Sequence, residues 1–379
     1  MKNPIYSLPS ECSGCRACVE VCPNHCITMV KDAERFVYPK IDESACIDCH
    51  RCEMVCPLKD CSLNTILESF VGEHTPEEVF KSASGGAFWA LCQVLIPQGY
   101  VVAGVKWANG FNVVHDIAYT LEEAEAFRKS KYVMPDTNGV FTKVKALLKE
   151  GRKVMFTGSP CQVAACKKFV GNNDNLLLVD LVCHGAPNQD IFEKEIEYLE
   201  SKHNGKLESF EFRQKKPIEG KVNSRSARYV VDGNEFIVGI NNDPFLKGYY
   251  TRLFYRPSCG TCHFARPERV GDITIADAWG IDQLNPNYNE LRGVSLILMN
   301  SIKGCNVKCQ LESLLDLFSV DNQWAIENNQ QLQRPTSMHV KRALFFRKME
   351  ENSFNDIIAQ VERTTLMNRI KSYIKRLLS

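Results

Sequence analysis

From Ser84 onward the apolar positions of the chain alternate between two patterns. Stretches with hydrophobic residues three and four apart read as helices packed by one face, and short apolar runs read as buried strands. Ser84-Gly85-Gly86 opens an apolar helix running to about Ile96, Tyr100 to Trp107 is a strand, and Val113 to Tyr119 is its partner. Val140 to Lys149 has helical spacing, and Gly151 ends it as a C-cap would. Lys153 to Thr157 is a short buried strand, turned by Gly158-Ser159-Pro160 into a helix starting near Cys161. Leu176 to Val182 is almost wholly apolar, as a central strand covered on both faces should be. Asn188 to Lys202 is an amphipathic helix, and strand-like runs follow at Leu207–Phe212, Ala227–Val231, Phe236–Ile240 and Val294–Met299. The pattern predicts an α+β fold, an α/β core built on a mixed sheet. Leu67 to Ser84, rich in charged and small residues, reads as a linker into that core.

Composition narrows the picture. At 379 residues the chain has room for two or three domains. Its 44% hydrophobic content is that of an ordinary globular protein, and a formal net charge of +1 argues against nucleic-acid binding driven by bulk charge. No uncharged apolar run reaches the roughly eighteen residues that span a bilayer. Eighteen cysteines with no signal-peptide pattern ahead of them point to a reducing cytoplasm and metal chemistry, not to disulfides.

The cysteines supply the chemistry. Cys12, Cys15, Cys18 and Cys22 stand at Cys-x2-Cys-x2-Cys-x3-Cys-Pro, and Cys46, Cys49, Cys52 and Cys56 repeat that spacing. Three cysteines two residues apart wrap one corner of an iron–sulfur cube, while the fourth, before proline, crosses to the other cube. The expected pairing is Cys12, Cys15, Cys18 and Cys56 on one 4Fe-4S cluster, with Cys46, Cys49, Cys52 and Cys22 on the second. Zinc sites commonly pair two Cys-x2-Cys units at longer separation and lack the Cys-Pro completion. Cys26 and Cys61, trailing the two Cys-Pro pairs, are expected as small packed hydrophobes.

A second group lies in the core. Cys161 sits at a strand-to-helix turn, Cys183 ends the next strand, and Cys259 and Cys262 form a Cys-x2-Cys on a turn. Two strand ends and a loop can bring four thiolates to one sheet edge, the general place for ligands in open α/β sheets. Such a set suits a third 4Fe-4S cluster or a structural zinc. Scattered cysteines carry no fixed interval, so core packing of Cys161 and Cys183 stands as the alternative. Cys92, Cys166, Cys305 and Cys309 are assigned to packing, the last two four apart on one helix.

Several ordered strings resemble the beta subunits of coenzyme F-420-reducing hydrogenase and dehydrogenase. They are Ser84-Gly85-Gly86, Lys131-Tyr132, the Phe156-to-Gln162 turn, Asp180 to Gly185, Cys259-x2-Cys262 and Gly271 to Gly280. The resemblance covers roughly residues 70–300, with the dicluster module fused in front. Together with the cysteine repeats and the linker composition it gives a two-cluster ferredoxin-like domain at 1–64, a linker at 65–82 and, at 83–160, a region like the N-terminal part of those beta subunits. A region like their C-terminal part, with the core cluster, at 161–340 and a helical tail at 341–379 complete the expected organisation.

The resemblance also implies a noncovalent FAD and a core cluster, for which Cys161, Cys183, Cys259 and Cys262 become the best candidates. Ser84, Gly85 and Gly86 at a helix N-terminus are candidate donors to the FAD pyrophosphate. Lys131, Tyr132, Asp277 and Trp279 are further candidates about the flavin, and His184 adjoins a presumed cluster ligand. No proton donor is assigned. The implied activity is an oxidoreductase in which FAD joins single-electron clusters to a two-electron substrate, such as a deazaflavin. The expected partner is a ferredoxin or a redox subunit. The competing reading is a non-catalytic electron-delivery subunit. At the C-terminus Leu366, Ile370, Tyr373, Ile374, Leu377 and Leu378 mark one helical face beside Arg369, Lys371, Lys375 and Arg376. This basic amphipathic end suits peripheral membrane contact or packing on its own domain.

Overall fold

The structure, a computed structural model, describes residues 10–137, 139–215, 226–349 and 353–360. An eight-stranded mixed sheet organises it, in the order Asp316–Val320, Glu68–Glu73, Ser295–Met299, Ile273–Asp277, Leu176–Leu181, Lys153–Gly158, Tyr100–Ala108, Asn112–Ala118. The four strands from Ile273–Asp277 to Tyr100–Ala108 run parallel, and both margins are antiparallel. This is the expected α+β architecture.

The central strands read as unbroken apolar runs because both of their faces are covered. Val101, Ala103, Val154, Phe156, Leu176 and Leu178 pack on one side with the helices Val140–Lys149 and Pro160–Val170. Val102, Met155, Leu177 and Val179 pack on the other with the helix Ala87–Leu95. A separate three-stranded sheet, Asn234–Gly239, Ser226–Val231 and Leu207–Glu211, carries the aromatic cluster of Phe210, Phe212 and Tyr229. The N-terminal module contributes the hairpin Ile27–Lys31 with Val37–Ile41.

One expectation changes. The segment 65–82, expected as a linker, contains the strand Glu68–Glu73, hydrogen-bonded on both sides within the large sheet, and the helix Pro76–Phe80. Phe70 and Val71 are buried there, yet the acids at both ends of the strand mask a short apolar signal. The expected C-terminal amphipathic face from Leu366 to Leu378 lies outside the described residues. Among the described residues no helix is long and apolar enough to cross a membrane.

Two carboxyl groups are buried together where the middle of the helix Gln189–His203 meets the start of the helix Pro244–Tyr250. Glu195 accepts from Phe245 N at 3.2 Å, and Asp243 caps Pro244–Tyr250 by accepting from Leu246 N at 2.7 Å. Glu195 Oε1 and Asp243 Oδ2 are buried without a hydrogen-bond partner among the described residues. Burial pushes Asp243 up to about 6, and burial with the Asp243 charge pushes Glu195 higher. Because both folded pKa values are raised, the folded state holds more protons than the unfolded chain above about pH 4. Stability is therefore greatest at low pH in this window and falls as pH rises through about 6. Asp243→Asn keeps a capping side chain and removes the ionisation. Its stability relative to the parent is expected to improve by on the order of 2 kcal/mol between pH 5 and pH 7.5, measured by anaerobic urea unfolding.

Candidate functional site

The N-terminal cysteines lie on loops that fold alike in both repeats. Gly14 and Arg16 have φ of 72° and 63°, and Asp48 and His50, at the matching places, have 54° and 57°. Left-handed residues alternating along a loop turn backbone N–H groups inward as an anion-binding nest. Asp48 N accordingly lies 3.4 Å from Cys46 Sγ. Cys12, Cys15, Cys18 and Cys56 line one cavity. Of the second set, Cys22 is buried, Cys46 and Cys52 are half-buried and Cys49 is exposed. Cys26 Sγ lies 3.3 Å from Cys22 Sγ, so this packed cysteine abuts a ligand candidate.

The core cysteines converge. Ser159 and Gln162 form a capping box around Pro160, which places Cys161 in the first turn of its helix. Cys183 follows the parallel strand Leu176–Leu181, and Cys259 lies within the short turn Pro257–Thr261, with Cys262 just after it. All four line one cavity together with His184. Glu11, Ser13 and Leu58 of the N-terminal module close this cavity, and Ser13 and Leu58 also line the cavity of Cys12 and Cys56. The two thiol-lined cavities therefore share these two lining residues.

The donor set suits a multi-iron cluster. Burial, with neighbouring thiolates adding to it, pushes Cys259 up to about 12, and burial pushes Cys161 up to about 11. Such thiols ionise when a bound metal supplies compensating charge. Among the described residues no group of three or more His, Cys, Asp or Glu is placed to hold a single metal ion. The thiols instead surround volumes.

A buried ion pair fixes the segments on which Cys183 and Cys262 ride. Arg269, 1% exposed, donates to Asp180 Oδ1 at 3.0 Å, to Leu181 O at 3.3 Å and to Phe264 O at 2.9 Å. Asp180, fully buried, also accepts from Gly271 N and Thr274 Oγ1.

The expected flavin contacts come together only in part. Asp277 ends the parallel strand Ile273–Asp277 and accepts both bonds of Arg213, at 3.0 and 2.7 Å. The Tyr132 ring stacks on Tyr249 with centroids 4.3 Å apart. Its phenol is close enough to feel the charges of Arg213 and Asp277. Ser84 lies beside Asp277, but its Oγ donates to Val294 O. Gly85 is explained by packing, because a Cβ there would lie 2.4 Å from Gly72 O and from Ser295 N. Gly86 caps its helix at φ 96° against His74. Lys131 Nζ turns to Ala126 O, Arg128 O and Lys129 O of its own loop. Trp279 is half-buried two residues beyond Asp277.

Two cations at this place carry no clear signal in the sequence. Arg213 and Lys215 are buried, and Lys215 Nζ donates to Val79 O and Ser84 O. Burial and the adjacent Arg213 charge push Lys215 down to about 7. Arg213 Nε is buried without a partner among the described residues. Arg213, already paired with Asp277, and Lys215 form a place that would suit an anionic group such as a pyrophosphate. Their only trace is the run Arg213-Gln214-Lys215-Lys216 directly after a predicted strand.

Comparison with known proteins bears on both parts of the chain. Residues 11–59 match the 4Fe-4S dicluster domain, and residues 151–315 match the coenzyme F420 hydrogenase/dehydrogenase family at the C terminus of its beta subunit. The F subunit of the F(420)H(2) dehydrogenase of Methanosarcina mazei is 24% identical over 194 residues, 48% of this chain and 55% of that protein. Ferredoxin 7Fe of Hydrogenibacillus schlegelii is 44% identical over 55 residues, 14% of this chain and 64% of that protein. The chain thus spans 55% and 64% of the lengths of these curated relatives. A solved structure of the F420-reducing NiFe hydrogenase complex from Methanosarcina barkeri aligns at a TM-score of 0.46 and 18% identity, over 72% of this chain and 92% of that one. The chain is thus similar to a 4Fe-4S dicluster domain over residues 11–59 and to the C-terminal domain of coenzyme F420 hydrogenase/dehydrogenase beta subunits over residues 151–315.

Proposed function

We propose that this chain is an iron–sulfur flavoprotein oxidoreductase, moving electrons between a ferredoxin or redox partner protein and a two-electron carrier of the deazaflavin class. The observation that carries the reading is the pair of thiol-lined cavities sharing Ser13 and Leu58 as lining residues. When bound, the clusters take up single electrons and FAD exchanges one or two. The chain's own contribution is placement. Cys12, Cys15, Cys18 and Cys56 hold one cluster, Cys22, Cys46, Cys49 and Cys52 a second, and Cys161, Cys183, Cys259 and Cys262 a third. Arg213 and Lys215 neutralise the FAD pyrophosphate, while Asp277, Ser84 and Tyr132 orient the cofactor beside them. Lys131 and Trp279 would be further residues about the cofactor. The partner meets the face around exposed Cys49, where Ile47 and Met54 are 62% and 61% exposed.

Protein purified without oxygen is expected to contain about twelve iron atoms and about one FAD per chain. About eight irons and no FAD, after FAD is supplied in excess, would overturn the core reading. The name of the Methanosarcina mazei relative, one subunit of a dehydrogenase, favours a second reading in which the chain only delivers electrons to a larger assembly. Reduction of a deazaflavin by the isolated, fully loaded chain decides for the enzyme. Activity that appears only with a stoichiometric second subunit decides for delivery.

A further inference from the structure

Arg256 is 2% exposed and stands at the junction of the N-terminal module and the core. Its Nε donates to Cys12 O at 2.7 Å and its Nη2 to Val37 O at 2.8 Å. Its guanidinium carbon lies 4.4 Å from the centre of the Tyr38 ring. A Cβ on Gly14, in the first cysteine loop, would lie 2.8 Å from Nη1, so that glycine makes room for the charge. On the core side, Arg256 N donates to Ala186 O at 3.0 Å and Arg256 O accepts from Cys259 N at 2.9 Å. The same residue is therefore bonded directly to the backbone of a cysteine in each thiol set.

Among the described residues no carboxylate pairs with Arg256. A buried cation without an opposite charge is costly, and two carbonyls with an aromatic face offset that cost only in part. The groups that flank it are the two sets of thiols. Four thiolates around a 4Fe-4S core leave a net negative charge, which becomes more negative on reduction. A positive charge buried between two such groups favours their reduced forms, because the low dielectric strengthens the attraction.

We propose that Arg256 is a positioning residue that holds the cluster sites of Cys12 and Cys259 at a fixed separation and raises the reduction potentials of both. The inference rests on the three-cluster reading above for its core half. Its N-terminal half stands on the bond to Cys12 O alone.

The test is an anaerobic redox titration of full-length protein followed by electron paramagnetic resonance, with iron measured on each sample. Arg256→Gln is expected to lower the potentials of the Cys12 and Cys259 clusters by a factor of about ten in the reduction equilibrium, about 59 mV for one electron. The cluster of Cys46 and Cys49 keeps its parent potential. Arg256→Lys retains the charge and restores most of the shift. Arg256→His provides the control should the glutamine variant fail to retain iron. Its two potentials rise from pH 8 to pH 6 more steeply than those of the parent, as the imidazole becomes charged. About twelve irons with unchanged potentials in the glutamine variant, or a histidine variant with the parent's pH response, overturns the proposal. A parent with about eight irons removes the core reading instead, and the Cys12 cluster then tests Arg256 by itself.

Discussion

Arg269→Met is expected to lower stability by about 3–5 kcal/mol, because it strands the fully buried Asp180 carboxylate without its cation. The effect is large for a geometric reason as well. One guanidinium bonds Leu181 O before Cys183 and Phe264 O after Cys262, so both cysteine segments loosen at once. Iron should be lost to a chelator faster in this variant, with the excess loss limited to the core cluster. Replacing a buried pair by neutral groups is far less costly than breaking it. The double variant Asp180→Asn/Arg269→Met should therefore recover more than half of the lost stability. Urea unfolding of the loaded protein under anaerobic conditions measures both. A single variant within about 1 kcal/mol of the parent would show that the pair contributes little to the fold.

Cys259→Ala is expected to reduce iron from about twelve to about eight atoms per chain while leaving the N-terminal cluster signals in place. Cys161→Ala should do the same. Cys92→Ala and Cys166→Ala remove thiols that are fully buried among apolar side chains, and should change iron content by less than about one atom. Equal iron in all four variants would dismiss a cluster held by the core thiols.

Much of the core is legible in the sequence. The helix Val140–Lys149 has the predicted bounds, and Tyr100–Ala108 and Leu176–Leu181 lie within a residue of the strands read from their apolar runs. These elements announce themselves because sheet and helices bury them continuously. The meeting of Cys161, Cys183, Cys259 and Cys262 is legible only as a possibility of topology, since no interval links a strand end to a distant turn. Cys305 and Cys309 illustrate the opposite failure. Their spacing suggests one helical face, yet the chain breaks into Ile302–Cys305 and Lys308–Leu311, and Cys309 is exposed.

The charged residues are the least legible. Arg213, Lys215, Arg256 and Arg269 are all buried, against the strong tendency of such side chains to stay in water. Periodicity has no signature for a guanidinium whose partners are carbonyls far along the chain. Arg256 does follow the apolar run Leu253-Phe254-Tyr255, and a cation in that setting calls for a buried partner.

The strand Glu68–Glu73 has a further consequence for how the protein is made. It pairs with Ser295–Met299 and Asp316–Val320. The first of these follows ~220 residues later, so at roughly 5–20 residues per second the nascent strand waits roughly 10–40 s with both edges open. The eight cysteines of the two N-terminal repeats leave the ribosome before it, whereas Cys262 emerges shortly before the partner strand. On the proposed three-cluster reading, translation would order metal insertion. The front module would be charged during synthesis and the inner thiols last, as the sheet closes over an edge that until then invites aggregation.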